Sequence, residues 1–385
     1  MRTFLARLRW VHVALALLGL QGQGLLAQPL ALNAALREQV LMVKKGDGLF
    51  STEFETTFFR PPGDGPFPVV IINHGKAKGD TRFDPRARYE AAAREFVRRN
   101  YMVVLPMRQG FSKSSGSYIG GGCNVESNGR VQAQDVQAVI GFLNSVPDAD
   151  ISRIVVIGQS HGGLTTMALG TSNPAGVRGL INFAGGLRND QCVSWEAQLA
   201  KAFGAYGREA RIPSLWLYGE NDSFWPAPLY QDMHRQFVEA GGQARLVEVG
   251  KFGADSHGLF ASGGGVPVWL PHVERFLREL SLPTAVVHSI PSRGHTQPVP
   301  PASNFAALTD ESALPAVKDA SSKGYVKFLA GEWPRAFAIS PSGSWAFYYG
   351  RSDAMTAAVE RCNQFAKDNS CRLYAVDDVV VWTKQ

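Results

Sequence analysis

Like-charge blocks are missing from this chain, cysteine is scarce, and beyond the first twenty residues no long apolar run occurs. Each absence removes a class of function. The 39 Lys and Arg outnumber the 33 Asp and Glu by only 6. A surplus that small, spread without a basic cluster, argues against nucleic acid or an anionic surface as partner, and the pI of 9.1 is no DNA-binding signal. No later segment supplies the roughly 20 consecutive apolar residues of a spanning helix. No Cys-x-x-Cys or His-x-x-x-His spacing is present, so no built metal site is expected, and no cofactor.

What is present begins with a leader. Arg2, Arg7 and Arg9 precede an apolar run over residues 10–20, and small residues follow up to Ala27. That layout predicts a secretory signal peptide over 1–27 and a periplasmic or extracellular protein, with no stable membrane insertion after cleavage. Removing those three arginines, with no acid lost, lowers the charge from +6 to +3. Cys123, Cys192, Cys362 and Cys371 then form an even set in an exported chain, which predicts two disulfides. Three pairings are possible. The closeness of Cys362 to Cys371 favours that pair and leaves Cys123 with Cys192.

Residues 40–280 alternate between strand and helix patterns. Unbroken apolar runs at 68–72 (PVVII), 101–106 (YMVVLP) and 153–158 (RIVVIG) read as buried strands. Further strands are expected at 40–43, 54–60, 177–183, 214–218 and 244–249. Helices are expected at 89–99, 131–144, from 164 onward, and at 269–280. The whole predicts a mostly parallel sheet with helices on both faces, a catalytic α/β domain spanning 28–282. Five prolines then mark 283–304 as a linker. Residues 305–385 read as a small α+β domain stapled by Cys362 and Cys371, with strands at 336–339, 345–349 and 376–382 and a helix at 354–366.

Gly158-Gln159-Ser160-His161-Gly162 is the one Gly-x-Ser-x-Gly in the chain. It follows the strand at 153–157 and opens a helix, the context of a nucleophile elbow. Flanking glycines suit a turn where a Cβ would collide with its neighbours. A serine hydroxyl needs a base, and His257 follows the strand at 244–249. Asp222 follows the strand at 214–218 and would orient that base. All three sit past the carboxyl ends of strands, where open α/β sheets place their sites, and in the order Ser, Asp, His. His74 and His161 compete as base, and Asp255 and Glu220 as acid. An oxyanion hole would draw on the backbone N–H of His161 and of Lys76, with Gly75 allowing close approach. Tyr118, Phe224 and Trp225 are candidate pocket walls for an apolar acyl or aryl group. A fairly open site is expected, because residues 185–211 are too few for a large lid.

The runs PVVIINHG, LPMRQGFSKSSG, GQSHGG, YGENDSFWP and DSHG resemble α/β hydrolases. Among these the chain looks most like the dienelactone-hydrolase-like branch, which includes bacterial esterases and relates to prolyl-oligopeptidase-type peptidases. The resemblance covers residues 40–280. It departs from dienelactone hydrolases themselves, which carry a cysteine where this chain has Ser160, so dienelactone cleavage is not implied. The expected activity is hydrolysis of a carboxylic ester, a small-molecule or short acyl substrate. A peptidase of the prolyl-oligopeptidase type and a non-catalytic binding protein on the same fold are the alternatives. Such peptidases usually carry a long N-terminal propeller, and the roughly dozen residues between the expected cleavage site and the first expected strand count against that alternative.

Overall fold

The computed structural model describes residues 32–383 except 49–50, 121, 291–296, 317–318, 332 and 352. The expected leader lies outside these residues. Eight strands build the main sheet: β1 (Gln39–Lys45), β2 (Thr52–Phe59), β3 (Phe67–Asn73), β4 (Met102–Pro106), β5 (Ala149–Gln159), β6 (Val177–Phe183), β7 (Ser214–Tyr218) and β8 (Ala244–Glu248). Their order is β1-β2-β4-β3-β5-β6-β7-β8. β1–β2 and β2–β4 pair antiparallel, and every other neighbour pairs parallel.

The apolar runs sit at the centre because both of their faces are covered. In β3, Val69 and Ile71 pack on one side and Val70 and Ile72 on the other, all fully buried. β5 repeats this, with Ile154 and Val156 on one side and Val155 and Ile157 on the other. Each such aliphatic side chain contributes roughly 1.5–3 kcal/mol on burial. One face is covered by α1 (Glu90–Arg98) and α6 (Val266–Glu279), the other by α2 (Val125–Leu143), α3 (His161–Leu169), α4 (Trp195–Glu209) and α5 (Ala227–Glu239).

Several boundaries differ from expectation. α2 begins at Val125 rather than 131, because the Asn124 side chain caps it by accepting from Ser127 N–H at 2.9 Å. The polar Asn128 and Gly129 hid this first turn, yet both face inward. A Cβ at Gly129 would sit 2.2 Å from the Tyr206 hydroxyl oxygen. α6 begins at Val266 with a proline in its first turn and Pro271 inside it, three residues ahead of the expected 269. α4 and α5 were not anticipated. Gly204 and Gly207 dilute the helical pattern of α4, but a Cβ at Gly207 would lie 2.2 Å from Phe237 O, so the glycine permits close packing on α5.

After α7 (Asp319–Ala330) comes a second, antiparallel sheet of β9 (Arg335–Ile339), β10 (Trp345–Tyr349), β11 (Arg372–Val376) and β12 (Val379–Val380), in the order β10-β9-β11-β12, with α8 (Ala354–Ala366) between β10 and β11. The strand expected at 376–382 is instead the end of a hairpin. Asp377, at φ 51°, turns the chain there, and its carboxylate accepts from Arg335 N–H at 2.9 Å. Alternation again divides the faces: Phe337 and Ile339 meet α7, and Ala336 and Ala338 meet α8.

Residues from both parts touch. Pro283 O accepts from the Tyr101 hydroxyl at 2.8 Å, and Val287 and His288 N–H donate to Arg98 O at 2.9 and 3.1 Å. The Arg94 guanidinium lies over the Trp333 ring at 4.3 Å. Ser262 Oγ donates to Leu329 O at 2.8 Å, and Gly263 lies against the Trp333 indole.

Cys123 bonds Cys192 across 69 residues and Cys362 bonds Cys371 across 9, the pairing expected from the spacing. Stabilisation by loop closure grows with the logarithm of loop length. Removing the first bridge by paired Cys→Ser substitution should cost about 4 kcal/mol and removing the second below about 3 kcal/mol. Denaturant unfolding of the two double variants measures the difference, and the reverse order would refute it. Truncation after Leu282 should lower the melting temperature by loss of the Trp333 and Leu329 contacts, while a small activated ester is still hydrolysed below the new midpoint. A folded, inactive truncated chain would instead assign residues 305–385 to the site.

Candidate active site

β5 ends at Gln159 and α3 begins at His161, so Ser160 must reverse the chain within one residue. Its backbone sits at φ 56°, ψ −124°, outside the regions an L-residue occupies at low cost. The glycines make the turn possible. A Cβ at Gly158 would lie 2.0 Å from Gly162 O, one at Gly162 2.0 Å from Asn73 O, and one at Gly163 2.4 Å from Asn182 Oδ1. Ser160 O is held by Gly163, Leu164 and Gly186 N–H at 2.8, 3.2 and 3.0 Å.

β7 and β8 pair in parallel and deliver the loops that follow them side by side. His257 rides a one-turn 3₁₀ helix, Ser256–Gly258. Its Nδ1 faces both carboxylate oxygens of Asp222, at 3.1 and 3.0 Å. The Asp222 side chain is fully buried, and its Oδ1 also accepts from Phe224 and Trp225 N–H at 2.8 and 3.1 Å. Asp255, the rival acid, is engaged by other donors: it accepts from His257 and Ser223 N–H at 2.9 and 3.1 Å and from the Ser223 hydroxyl at 2.6 Å. Glu220 lies exposed near Lys251.

The rival histidines are both buried. Burial, reinforced by the Arg108 guanidinium, pushes the His74 and His161 imidazoles well below the usual histidine range. The His74 ring bonds Gly75 O at 2.7 Å, and His161 Nε2 meets Asn128 Oδ1 at 2.7 Å. His161 is the first residue of α3, and a Cβ at Gly75 would lie 3.4 Å from Ser160 Cβ.

Ser160, His161 and Lys76 line a cavity of ≈ 880 Å³, together with Tyr118, Phe224 and Trp225. Phe224 lies 4.4 Å from the His257 ring, centroid to centroid. Trp225 is almost wholly buried and donates its indole N–H to Ala184 O at 2.7 Å, so it serves the core as well as the wall. Lys78, Arg188 and Asp190 also line the cavity. The Cys123–Cys192 bridge joins the two loops that supply Tyr118, Gly120 and Gly122 and residues 186–191 to this lining, and Asn189 Nδ2 donates to Gly122 O at 3.2 Å between them.

Four residues of this arrangement escaped the reading of motifs. Gln159 donates to His257 O at 2.8 Å and accepts from the Tyr89 hydroxyl at 2.7 Å, and Gly75 N–H in turn donates to that hydroxyl at 3.3 Å. Arg108 and Asn128 hold the two buried histidines. Position within the elbow motif was the one available signal for Gln159; the other three are brought in by loops and a helix turn far off in sequence. Among the described residues no group of three or more His, Cys, Asp or Glu could hold a metal, and no helix is long and apolar enough to cross a membrane.

Residues 65–226 match the family model described as serine aminopeptidase, S33. Two curated relatives are 2-hydroxy-6-oxononadienedioate/2-hydroxy-6-oxononatrienedioate hydrolases. That of Paraburkholderia xenovorans is 28% identical over 48% of this chain and 57% of its own length. That of Cupriavidus pinatubonensis is 30% identical over 40% of this chain and 47% of its own. The chain thus spans about half the length of the curated relatives it matches. An esterase of Pyrococcus furiosus superposes with a TM-score of 0.46 at 15% identity, over 64% of this chain and 93% of the other. With its eight-stranded sheet, its strand–turn–helix at Ser160 and its match over 65–226, the chain is a member of the α/β-hydrolase superfamily.

Proposed function

We propose that the protein is a serine hydrolase that cleaves a carboxylic ester through an acyl-enzyme. The observation that carries the reading is the left-handed Ser160 at a strand–helix turn, together with an imidazole, His257, whose Nδ1 is held by a buried carboxylate, Asp222. In this reading Ser160 Oγ attacks the ester carbonyl carbon while His257 Nε2 takes its proton. Asp222 keeps Nδ1 protonated and stabilises the imidazolium. The tetrahedral oxyanion receives the N–H groups of His161 and Lys76. Collapse expels the alcohol, which takes the proton from His257. Water, activated by the same imidazole, then releases the acid and regenerates Ser160.

Three basic side chains at the cavity, Lys76, Lys78 and Arg188, against the one acid Asp190 support a substrate that carries a carboxylate. The curated relatives, named for dioates, agree in substrate charge. Amide cleavage is the second reading, favoured by the description of the matching family model. Two disulfides support export to an oxidising compartment, periplasmic or extracellular.

Wild-type protein should be labelled covalently by a fluorophosphonate and should hydrolyse short esters, anionic ones preferred over neutral ones of equal length. Ser160→Ala should abolish both labelling and hydrolysis while the circular dichroism spectrum stays unchanged; labelling that persists in this variant would sink the assignment. Parallel assay of aminoacyl amides separates the two readings. Hydrolysis should also rise with pH, because only the neutral imidazole of His257 accepts the serine proton. Burial pushes His74 and His161 well below the usual histidine range, so neither should add a second ionisation to the rise. A flat profile between about pH 5 and 9, with chemistry rate-limiting, would exclude a histidine base.

A further inference from the structure

We infer that Arg108 is a positioning residue for the reaction proposed above, on which this inference rests: one nitrogen of its guanidinium holds both halves of the oxyanion site. Arg108 lies two residues beyond β4, and its side chain is wholly buried. Nη2 donates to His74 O at 2.8 Å, in the loop after β3, and lies 3.1 Å from His161 Nδ1, at the start of α3. Nε donates to Gln132 Oε1 on α2 at 3.0 Å. The two backbone segments that carry the Lys76 and His161 N–H groups are therefore tied to one rigid, planar fork.

The hydrogen-bond pattern extends this control to peptide orientation. Arg108 N–H donates to His74 Nε2 at 3.2 Å, so the ring proton of His74 belongs on Nδ1 and is donated to Gly75 O at 2.7 Å. In a trans peptide the C=O and the following N–H point in opposite directions. Fixing Gly75 O on the imidazole therefore aims Lys76 N–H away from it. Gly75 N–H is already engaged by the Tyr89 hydroxyl, which leaves Lys76 as the loop's free candidate donor beside Ser160. On the other side, His161 Nδ1 faces a donor and must accept, so Nε2 carries the proton and donates to Asn128 Oδ1. Asn128 Nδ2 in turn reaches the Tyr118 hydroxyl and Gly120 O in the cavity wall, at 3.1 and 2.9 Å.

Charge acts in the same direction. Among the described residues no carboxylate hydrogen-bonds to Arg108. Asp135, the acid that acts on it most strongly, gives its oxygens to Gln109 N–H and Lys45. Burial lowers the guanidinium to about 10, which still leaves it charged at neutral pH. A cation held in a low-dielectric interior behind the two donors favours negative charge at the oxyanion more than it favours the neutral ground-state carbonyl.

The test uses the full chain and two readouts. Arg108→Gln should lower kcat by about 10²–10³ while KM changes little, the loss associated with one oxyanion donor. Affinity for a trifluoromethyl ketone, which forms an oxyanion on the serine, should fall by the same factor. Affinity for the corresponding unreactive alcohol should not. Arg108→Lys, which keeps the charge and loses the fork, should fall between. His74→Gln, which leaves Arg108 in place, should lower kcat in the same direction, and it carries the test together with Arg108→Lys should Arg108→Gln fail to fold. Folded variants with unchanged kcat, or with ketone and alcohol affinity lost equally, would overturn the inference. A wild-type chain that a fluorophosphonate leaves unlabelled would overturn the serine reading and this inference with it; a labelled wild type with an indifferent Arg108 overturns the inference alone.

Discussion

A serine at φ 56°, ψ −124° relaxes at once if its neighbours allow it, since strain of this kind amounts to about 1–3 kcal/mol. Here the neighbours do not allow it. β5 is locked between β3 and β6 and buried on both faces, so it cannot shift to relieve the turn. α3 approaches so closely that Gly162 touches the Asn73 carbonyl and Gly163 the Asn182 side chain. The strain is borne by the packing of the sheet, and the result is a side chain carried at the lip of the cavity.

From that turn the polar structure spreads outward in two directions. On one side Gln159, Tyr89 and Gly75 connect the Ser160 turn, the His257 loop and the loop after β3. On the other, Arg108, His161 and Asn128 run behind the turn into the cavity wall. Apart from Arg108 Nη1, the side chains of these chains bond to partners on other elements, so loops that would otherwise move independently are held in common. The Cys123–Cys192 bridge adds a covalent tie between two of the same loops.

The main sheet was legible in the residues because parallel strands covered on both faces read as unbroken apolar runs, and β3, β4 and β5 do. α4 was hidden because Gly204 and Gly207, poor helix formers, are there for packing on α5. The start of α2 was hidden because Asn128 is polar yet buried, which breaks the apolar period. The hairpin at Asp377 was read as one strand, since its turn lies in an aspartate pair rather than in a glycine.

For the candidate site, sequence by itself determined the elbow motif, the order of Ser160, Asp222 and His257 along the chain, and the place of each beyond a strand; these follow from local pattern and from the few ways a βαβ chain can be wound. The choice of Asp222 over Asp255 as the carboxylate facing His257 Nδ1 was decided by tertiary structure, because two acids near one histidine differ only in where their loops turn. So were the partners of Arg108, which lies 53 residues from His161 and makes no pattern with it. A motif records which backbone shape a residue permits. Which buried groups satisfy one another depends on contacts between segments distant in sequence, and those exist only once the sheet has brought its strand ends together.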